Sequence, residues 1–243
     1  MSAAQSYASN NQIDALSNLA RQKYYLYSGT ADQTVSTVVV KAVQTVATSL
    51  GAQDSNFATQ YSLNAGHGVP TLNYGVQCSD SSSPYINNCN YDGAGAIFKQ
   101  LYGSLKGRGQ RNDSNWQVLN TIDYVPAGWL DVTLSLGDSA YVYVPTQCYG
   151  GKKKCRLHIV FHGCSQATEF LGDVFYKNTG YAEWAETNGF VLLFPQAASN
   201  PLYSNPLGCF DWWGFTEASY ATNQGPQMVT FKNMAKYLGA IVH

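Results

Sequence analysis

The stretch that most constrains how this chain folds lies at residues 157–166, Leu-His-Ile-Val-Phe-His-Gly-Cys-Ser-Gln. Its first five residues are apolar or half-apolar, and their number fits one short strand buried inside a sheet. The strand ends abruptly at His162-Gly163-Cys164, where the glycine allows the backbone to approach another group closely. An ordinary strand end with a turn glycine is the alternative interpretation of this stretch.

Strands and helices alternate along the rest of the chain. Further strands are predicted at residues 23–27, 57–63, 118–125, 140–144 and 190–194. Helices are predicted at residues 94–105, 182–187 and 228–242, and at 35–50, where Val35, Val39, Val43, Val46 and Leu50 share one face. This alternation predicts the α/β class, with a mostly parallel sheet covered by helices on both faces. Because no repeat or boundary interrupts the 243 residues, we predict a single domain spanning residues 1–243.

The composition indicates the cellular compartment and makes some classes of binding partner unexpected. The net charge is −1 and only 12% of the residues are charged, which gives no reason to expect nucleic acid or an anionic membrane as a partner. The six cysteines form no Cys-x-x-Cys pair, so we expect neither a metal nor a redox cofactor. An even number of cysteines in a chain of low charge predicts disulfides and an extracellular protein. The sequon Asn112-Asp113-Ser114 agrees with secretion.

Two predicted strands end in short loops that carry Asp32 and His67. The first loop reads Ser-Gly-Thr-Ala-Asp at residues 28–32, and the second reads Gly-His-Gly at residues 66–68. α/β-Hydrolases place the acid and the histidine of a catalytic triad at such strand ends, where the carboxylate orients the imidazole and the imidazole accepts the proton of a nucleophile. Asp32 could instead cap the following helix, and His67 could be an ordinary surface histidine.

A nucleophile is missing from this pattern. The sequence contains no Gly-x-Ser-x-Gly elbow. Ser28 lies in the loop of Asp32, and Ser165 lies in the loop after the strand at 157–161, so neither has the strand–serine–helix context that a nucleophile needs. Residues 1–12 also lack the basic and apolar regions of a signal peptide, which leads us to expect that the natural N-terminus lies upstream.

Nearly the whole chain resembles the fungal-type extracellular poly(3-hydroxybutyrate) depolymerases, which have a circularly permuted α/β-hydrolase domain. The resemblance rests on five blocks: Tyr-Ser-Gly-Thr-Ala-Asp at 27–32, Ser-Pro-Tyr-Ile-Asn-Asn-Cys-Asn-Tyr-Asp-Gly-Ala-Gly-Ala at 83–96, residues 157–166, Asn-Thr-Gly-Tyr at 178–181 and Cys-Phe-Asp-Trp at 209–212. The second and last blocks are long and unusual enough to be specific.

The resemblance assigns roles to individual residues. It implies that Asp32 is the triad acid, that His67 is the triad base, and that the backbone N–H of Cys164 is one oxyanion donor. Trp212 is similar to a tryptophan that contacts substrate in this family, although a core position is the alternative for a residue that is usually buried. The resemblance also implies three disulfides, Cys78–Cys89, Cys148–Cys155 and Cys164–Cys209.

The chain also departs from the family pattern. In these enzymes the serine elbow and its strand precede the region where this chain starts, so we expect an N-terminally truncated and inactive chain. Phe210, Trp213 and Phe215 stand where the family has a second tryptophan, an aliphatic residue and a third tryptophan. The expected function is a monomeric carboxylic ester hydrolase of the polyester depolymerase type, with a serine mechanism. The alternatives are another secreted esterase, of feruloyl or acetyl type, and a non-catalytic relative that binds polymer or glycan.

Overall fold

A computed structural model describes residues 2–151 and 153–241, and Val242, predicted at the end of the last helix, lies outside the described residues. The chain divides into two units, residues 1–105 and residues 106–243. The single domain that the sequence indicates stays a prediction. Among the described residues, no helix combines the length and the apolar character needed to cross a lipid bilayer.

In its described residues, the first unit contains two small parallel sheets and three α-helices. One sheet pairs β1 (Tyr24–Tyr27) with β2 (Phe57–Gln60). The other has the order β3-β5-β4, from β3 (Val69–Thr71), β4 (Val76–Gln77) and β5 (Ile86–Asn88). The helices are α1 (Ser2–Ser9), α2 (Thr37–Ser49) and α3 (Gly93–Tyr102), and α3 begins at a cap in which the Asp92 carboxylate accepts the N–H of Gly95.

The apolar face of α2 is largely exposed. Val39, Val43 and Val46 are 58%, 49% and 49% exposed, whereas Ala47 of α2 is buried. The spacing of these valines predicts the helix correctly, since α2 lies within the predicted range. The spacing does not show which face of α2 packs toward β1. Apolar residues with this spacing can lie on a buried face of a helix or on an exposed one.

The second unit is built around one mixed four-stranded sheet of order β6-β7-β9-β8. Its strands are β6 (Trp116–Asn120), β7 (Ser139–Tyr143), β8 (Arg156–Ile159) and β9 (Phe190–Phe194). β8 and β9 run parallel, whereas β7 is antiparallel to both β6 and β9. The helices are α4 (Thr168–Leu171), α5 (Val174–Asn178), α6 (Tyr181–Asn188) and α7 (Pro226–Ile241).

The core of the second unit surrounds β9, whose five residues are all buried. A cluster of buried side chains from the sheet and α7, including Val142, Leu193 and Leu238, fills this core. β8 lies at the edge of the described sheet, and its residues are at most partly buried. The buried strand predicted at 157–161 is therefore wrong in two respects: β8 ends at Ile159 and is only partly buried, and Phe161 lies beyond it and is 46% exposed. An apolar run alone cannot distinguish a central strand from an edge strand.

Candidate active site

The ends of β1 and β2 bring two loops side by side. The two strands are parallel and in register, with Tyr27 opposite Gln60, so that both chains leave the sheet at one edge. The pairing continues beyond the strands, because the N–H of Thr30 donates to the carbonyl of Leu63 at 2.8 Å and the N–H of Ala31 donates to that of Ala65 at 3.1 Å. The loop of Asp32 is thus joined to the loop of His67 by backbone hydrogen bonds.

Asp32 and His67, both predicted from the sequence, are in direct contact. His67 Nδ1 lies 2.9 Å from Asp32 Oδ2. The other carboxylate oxygen, Oδ1, accepts the N–H groups of Thr34 at 2.8 Å and Val35 at 2.9 Å. Asp32 therefore supports the turn before α2, although the N-cap position of that helix belongs to Ser36. The helix-cap alternative is therefore wrong for Asp32: one carboxylate oxygen supports the turn before α2, and the other contacts the histidine.

The electrostatics of Asp32 favour a carboxylate. Burial by itself raises the pKa of Asp32, but hydrogen bonds from Val35, His67 and Thr34 and the nearby imidazole outweigh this effect and hold the pKa below its usual value. An ionised carboxylate can only accept, so Nδ1 of His67 carries the proton of this hydrogen bond. Nε2 is then the basic nitrogen, and the described residues contain no hydrogen-bond partner for it.

The glycines around the pair are required by close packing. A Cβ atom on Gly29 would lie 2.0 Å from the carbonyl oxygen of Ala65. Cβ atoms on Gly66 and Gly68 would lie 2.2 Å from the carbonyl oxygen of Asp80 and 1.9 Å from the side-chain oxygen of Asn87. The Gly-His-Gly sequence thus lets the histidine loop pack against residues 79–87.

Two supporting residues are not apparent from the sequence. Ser81 Oγ accepts the backbone N–H of His67 at 2.8 Å. Asn87 is fully buried, and its Nδ2 donates to the carbonyls of Gln77, Cys78 and Asp80 at 3.3, 2.9 and 2.6 Å. The only indication of Asn87 in the sequence is its place in the block at 83–96. The disulfide Cys78–Cys89 closes the same segment.

The loop after β8 lies in the second unit and presents an available backbone donor. Gly163 donates its N–H to Gln166 Oε1 at 2.7 Å, and Gln166 donates its own N–H to the Gly163 carbonyl at 3.2 Å. Cys164 is exposed, and no described residue accepts a hydrogen bond from its N–H. Ser165 has a φ of 60° and donates its N–H to the carbonyl of Leu207 at 2.7 Å.

A second loop of this unit carries an aromatic pair. The disulfide Cys164–Cys209 joins it to the loop after β8. The Asp211 carboxylate accepts the N–H groups of Gly214, Phe215 and Thr216 at 2.6, 3.0 and 3.0 Å, which fixes the turn. Trp212 is 72% exposed, so the core position considered for it is wrong, and its ring packs edge-on against that of Trp213.

All six cysteines are paired as the family resemblance implies. Besides the two disulfides already described, Cys148–Cys155 lies in the core of the second unit. The described residues contain no side-chain hydroxyl bonded to the His67 ring, and the sequence has no serine elbow. The Asp32–His67 pair can accept a proton through Nε2, and Cys164 can donate a hydrogen bond to a developing negative charge.

Comparisons with known proteins give a consistent family. No family model matches the chain. It is 36% identical over 235 residues to a poly(3-hydroxybutyrate) depolymerase of Delftia acidovorans and 35% identical over 244 residues to a polyhydroxybutyrate depolymerase of Talaromyces funiculosus. These alignments cover 96% and 95% of this chain, but 46% of the Delftia relative and 70% of the Talaromyces relative.

Two solved structures are similar over 99% of this chain and 78% of their own, each with a TM-score of 0.86 and 32% identity. One is the crystal structure of a PHB depolymerase from Penicillium funiculosum, and the other is a serine-to-alanine variant of PHB depolymerase complexed with an R3HB trimer. This likeness and the sheets described above define an α/β protein of the hydrolase type, which confirms the predicted class. The chain belongs to the poly(3-hydroxybutyrate) depolymerase family.

Proposed function

We propose that this chain acts in the hydrolysis of carboxylic ester bonds in an aliphatic polyester of 3-hydroxy acids, as part of a secreted serine-type esterase. The observation that carries the proposal is the Asp32–His67 contact at the ends of two parallel strands, in a chain of this family. The R3HB trimer bound to a structural neighbour is a short oligoester of this chemistry and supports the substrate class. The three disulfides support an oxidising compartment.

In the proposed reaction His67 moves the proton and Asp32 holds the imidazole. As a serine oxygen attacks the ester carbonyl, Nε2 of His67 accepts its proton, and Asp32 stabilises the imidazolium through Nδ1. When the ester C–O bond breaks, the same proton passes to the departing alkoxide. The acyl group then remains on the serine as an acyl-enzyme. Water then attacks that ester with His67 as base again, which releases the acid and regenerates the serine.

The remaining roles are assigned as follows. The Cys164 N–H stabilises the oxyanion of the tetrahedral intermediates, and the exposed Trp212 ring offers an apolar wall to the polymer chain. Because the 243 residues contain no Gly-x-Ser-x-Gly, we assign the nucleophile to a serine outside them. We expect a monomer that uses no metal, cofactor, nucleic acid or membrane.

The test measures ester hydrolysis by the native gene product on poly(3-hydroxybutyrate), on short acyl esters, and on feruloyl and acetyl esters. We expect turnover of the polyester, and a loss of several orders of magnitude in kcat for His67→Ala, since triad members act as a unit. Turnover confined to feruloyl or acetyl esters would contradict the substrate class. Near-wild-type turnover in His67→Ala would contradict the assignment of the base.

The absence of a serine elbow favours one second candidate, a non-catalytic relative that binds polymer through Trp212 and Trp213. A fluorophosphonate probe separates the two, because it labels an activated serine. We expect labelling of the native gene product at a serine outside these residues and no labelling of the isolated 243-residue chain. Polymer binding without turnover or labelling in the native gene product would favour the binding protein.

A further inference from the structure

We propose that His162 is a positioning residue, which fixes the Gly163–Cys164 peptide and thereby aims the N–H of Cys164. The inference rests on the proposed function, in which this N–H donates to the oxyanion. His162 lies three residues beyond the end of β8 and is 5% exposed, so its ring acts from inside the second unit.

The hydrogen bonds of the ring allow one tautomer only. The backbone N–H of Ala197 donates to His162 Nε2 at 3.0 Å, which requires an unprotonated Nε2. The proton of the neutral ring therefore lies on Nδ1, and Nδ1 donates it to the carbonyl oxygen of Gly163 at 2.6 Å. Burial lowers the pKa of His162 to about 4, so the ring remains neutral and keeps this tautomer at neutral pH.

This bond sets the direction of the Cys164 N–H because both groups belong to one peptide. The carbonyl of Gly163 and the N–H of Cys164 share a planar trans unit and point in opposite directions. Glycine permits many backbone conformations, so a peptide that follows Gly163 rotates easily unless something holds it. His162 and the Gln166 N–H both hold the carbonyl oxygen, and the disulfide of Cys164 with Cys209 restrains the other end.

The same chain of bonds strengthens the donor. A hydrogen bond to a carbonyl oxygen draws electron density away from the peptide nitrogen and makes its N–H a better donor. The Ala197 N–H donates to the His162 ring, and the ring donates to the Gly163 carbonyl. The Cys164 N–H belongs to the same peptide as that carbonyl and ends the chain of hydrogen bonds. The free end of this chain is the N–H to which the proposed function gives the oxyanion.

The structural alternative is that His162 only fills space, since its ring packs 4.7 Å from that of Phe210. Two variants separate the roles, because an asparagine amide nitrogen takes the place of Nδ1 and a glutamine amide group takes the place of Nε2. His162→Asn keeps the donor to Gly163, whereas His162→Gln keeps the contact with Ala197 and loses that donor. Both variants remove the ring. His158→Gln, which removes a histidine of β8 whose ring stacks on that of Tyr181, is the control.

The first measurement is NMR of isotope-labelled protein and needs no activity. In the wild type we expect the ring ¹⁵N shifts of His162 to show a protonated Nδ1 and an unprotonated Nε2. Because both His162 variants lose the ring current, the amide shift of Cys164 should move in both, but clearly further in His162→Gln than in His162→Asn, and it should not move in His158→Gln. A proton on Nε2 of the wild type overturns the inference even if no variant folds, and equal movement in the two His162 variants also overturns it.

The second measurement is kinetics of the native gene product on a short acyl ester. Removal of one oxyanion donor costs about 10²–10³ in kcat, so its misorientation in His162→Gln should cost about 10- to 100-fold, with KM within about twofold. His162→Asn should recover most of this loss, and His158→Gln should stay within about twofold of wild type. Equal losses in both His162 variants overturn the inference. A wild type without ester hydrolysis overturns the proposed function instead, and the NMR result then judges the hydrogen-bond chain by itself.

Discussion

Asp32 divides its carboxylate between a turn and a histidine. One oxygen accepts the N–H groups of Thr34 and Val35, and the other accepts Nδ1–H of His67. The turn cannot shift without moving the carboxylate, so the orientation of the imidazole is built into the backbone. An amide in place of the carboxylate keeps the shape of the side chain, but its nitrogen donates hydrogen bonds, whereas Oδ2 of Asp32 accepts one from His67.

We predict that Asp32→Asn abolishes efficient proton transfer with little change of fold. If the amide oxygen keeps the turn, the amide NH₂ faces Nδ1 and stabilises the tautomer with its proton on Nε2, which cannot accept the proton of a serine. The expected loss in kcat is about three to four orders of magnitude, measured on the native gene product. Asp54→Asn, an exposed aspartate of the same unit, should be neutral. Comparable loss in both variants would contradict the role of Asp32.

We predict that Gly29→Ala destabilises the first unit. Its Cβ would lie 2.0 Å from the carbonyl oxygen of Ala65, so one of the two joined loops has to move. Overpacking of this kind costs about 1–3 kcal/mol, measured as a loss in the free energy of unfolding by urea. Gly107→Ala is the matched control, since a Cβ there would meet nothing within 4 Å. An unchanged unfolding midpoint in Gly29→Ala would contradict the packing described here.

The elements of this fold differ in how well their sequences reveal them. β1, β2, β7 and β9 start within one residue of their predicted starts. β1 and β9 are the clearest, because runs of four or five apolar and aromatic residues are typical of strands. β3, β4 and β5 have two or three residues each, too few to show a period, and no strand is predicted from the sequence in the segment that contains β5. The side chain of Asn87, not an apolar pattern, holds that segment together.

The residues of the candidate site also differ in how well the sequence reveals them. Asp32 and His67 could be located because each follows a strand, and Cys164 and Trp212 because each lies in a family block. Ser81 could not be found, since its contribution is one oxygen facing a backbone N–H across 14 residues of sequence. The role of His162 also depends on Ala197, which is 35 residues away, so no local pattern indicates it.

We predict that the Cys164–Cys209 disulfide, which joins two loops of the second unit, contributes more to the free energy of unfolding than Cys148–Cys155 does. The two pairs are separated by 45 and 7 residues, so the loop-entropy model gives about 4 and about 2 kcal/mol. The measurement compares the unfolding midpoints of the two double Cys→Ala variants. Loss of the longer link should also speed amide exchange in residues 209–216. The reverse order of midpoints would contradict the prediction.

Two histidines of the second unit, the partly buried His158 and the buried His162, link folding stability to acid pH. Burial lowers the pKa values of His158 and His162 to about 4, whereas an unfolded histidine has a pKa near 6.5. Between these values the unfolded chain binds more protons than the folded one, so stability is complete above about pH 6.5 and falls as the pH drops toward 4. The carboxylate of Asp32 acts in a separate and lower range, because its pKa is depressed and its contribution is lost only as it becomes protonated.

We therefore predict that the free energy of unfolding decreases from pH 6.5 to pH 4, by as much as about 3 kcal/mol for each of the two histidines. Urea unfolding at pH 7, 5.5 and 4.5 measures this dependence. His158→Gln removes one of the two groups and should flatten the slope by about half. A pH-independent midpoint in the wild type, or an unchanged slope in the variant, would contradict the assignment.

Every contact that builds the Asp32–His67 pair lies within residues 24–88, from the register of β1 and β2 to the side chain of Asn87. The acid and the base therefore belong to one contiguous stretch of the chain, which carries the contacts that hold them together. An insertion or exchange elsewhere in the gene leaves its internal bonds in place, whereas the aromatic loop and the Cys164 loop are encoded more than 70 residues further on. A substitution in the aromatic loop can thus change the surface offered to the polymer and leave the internal contacts of the proton-transfer pair in place.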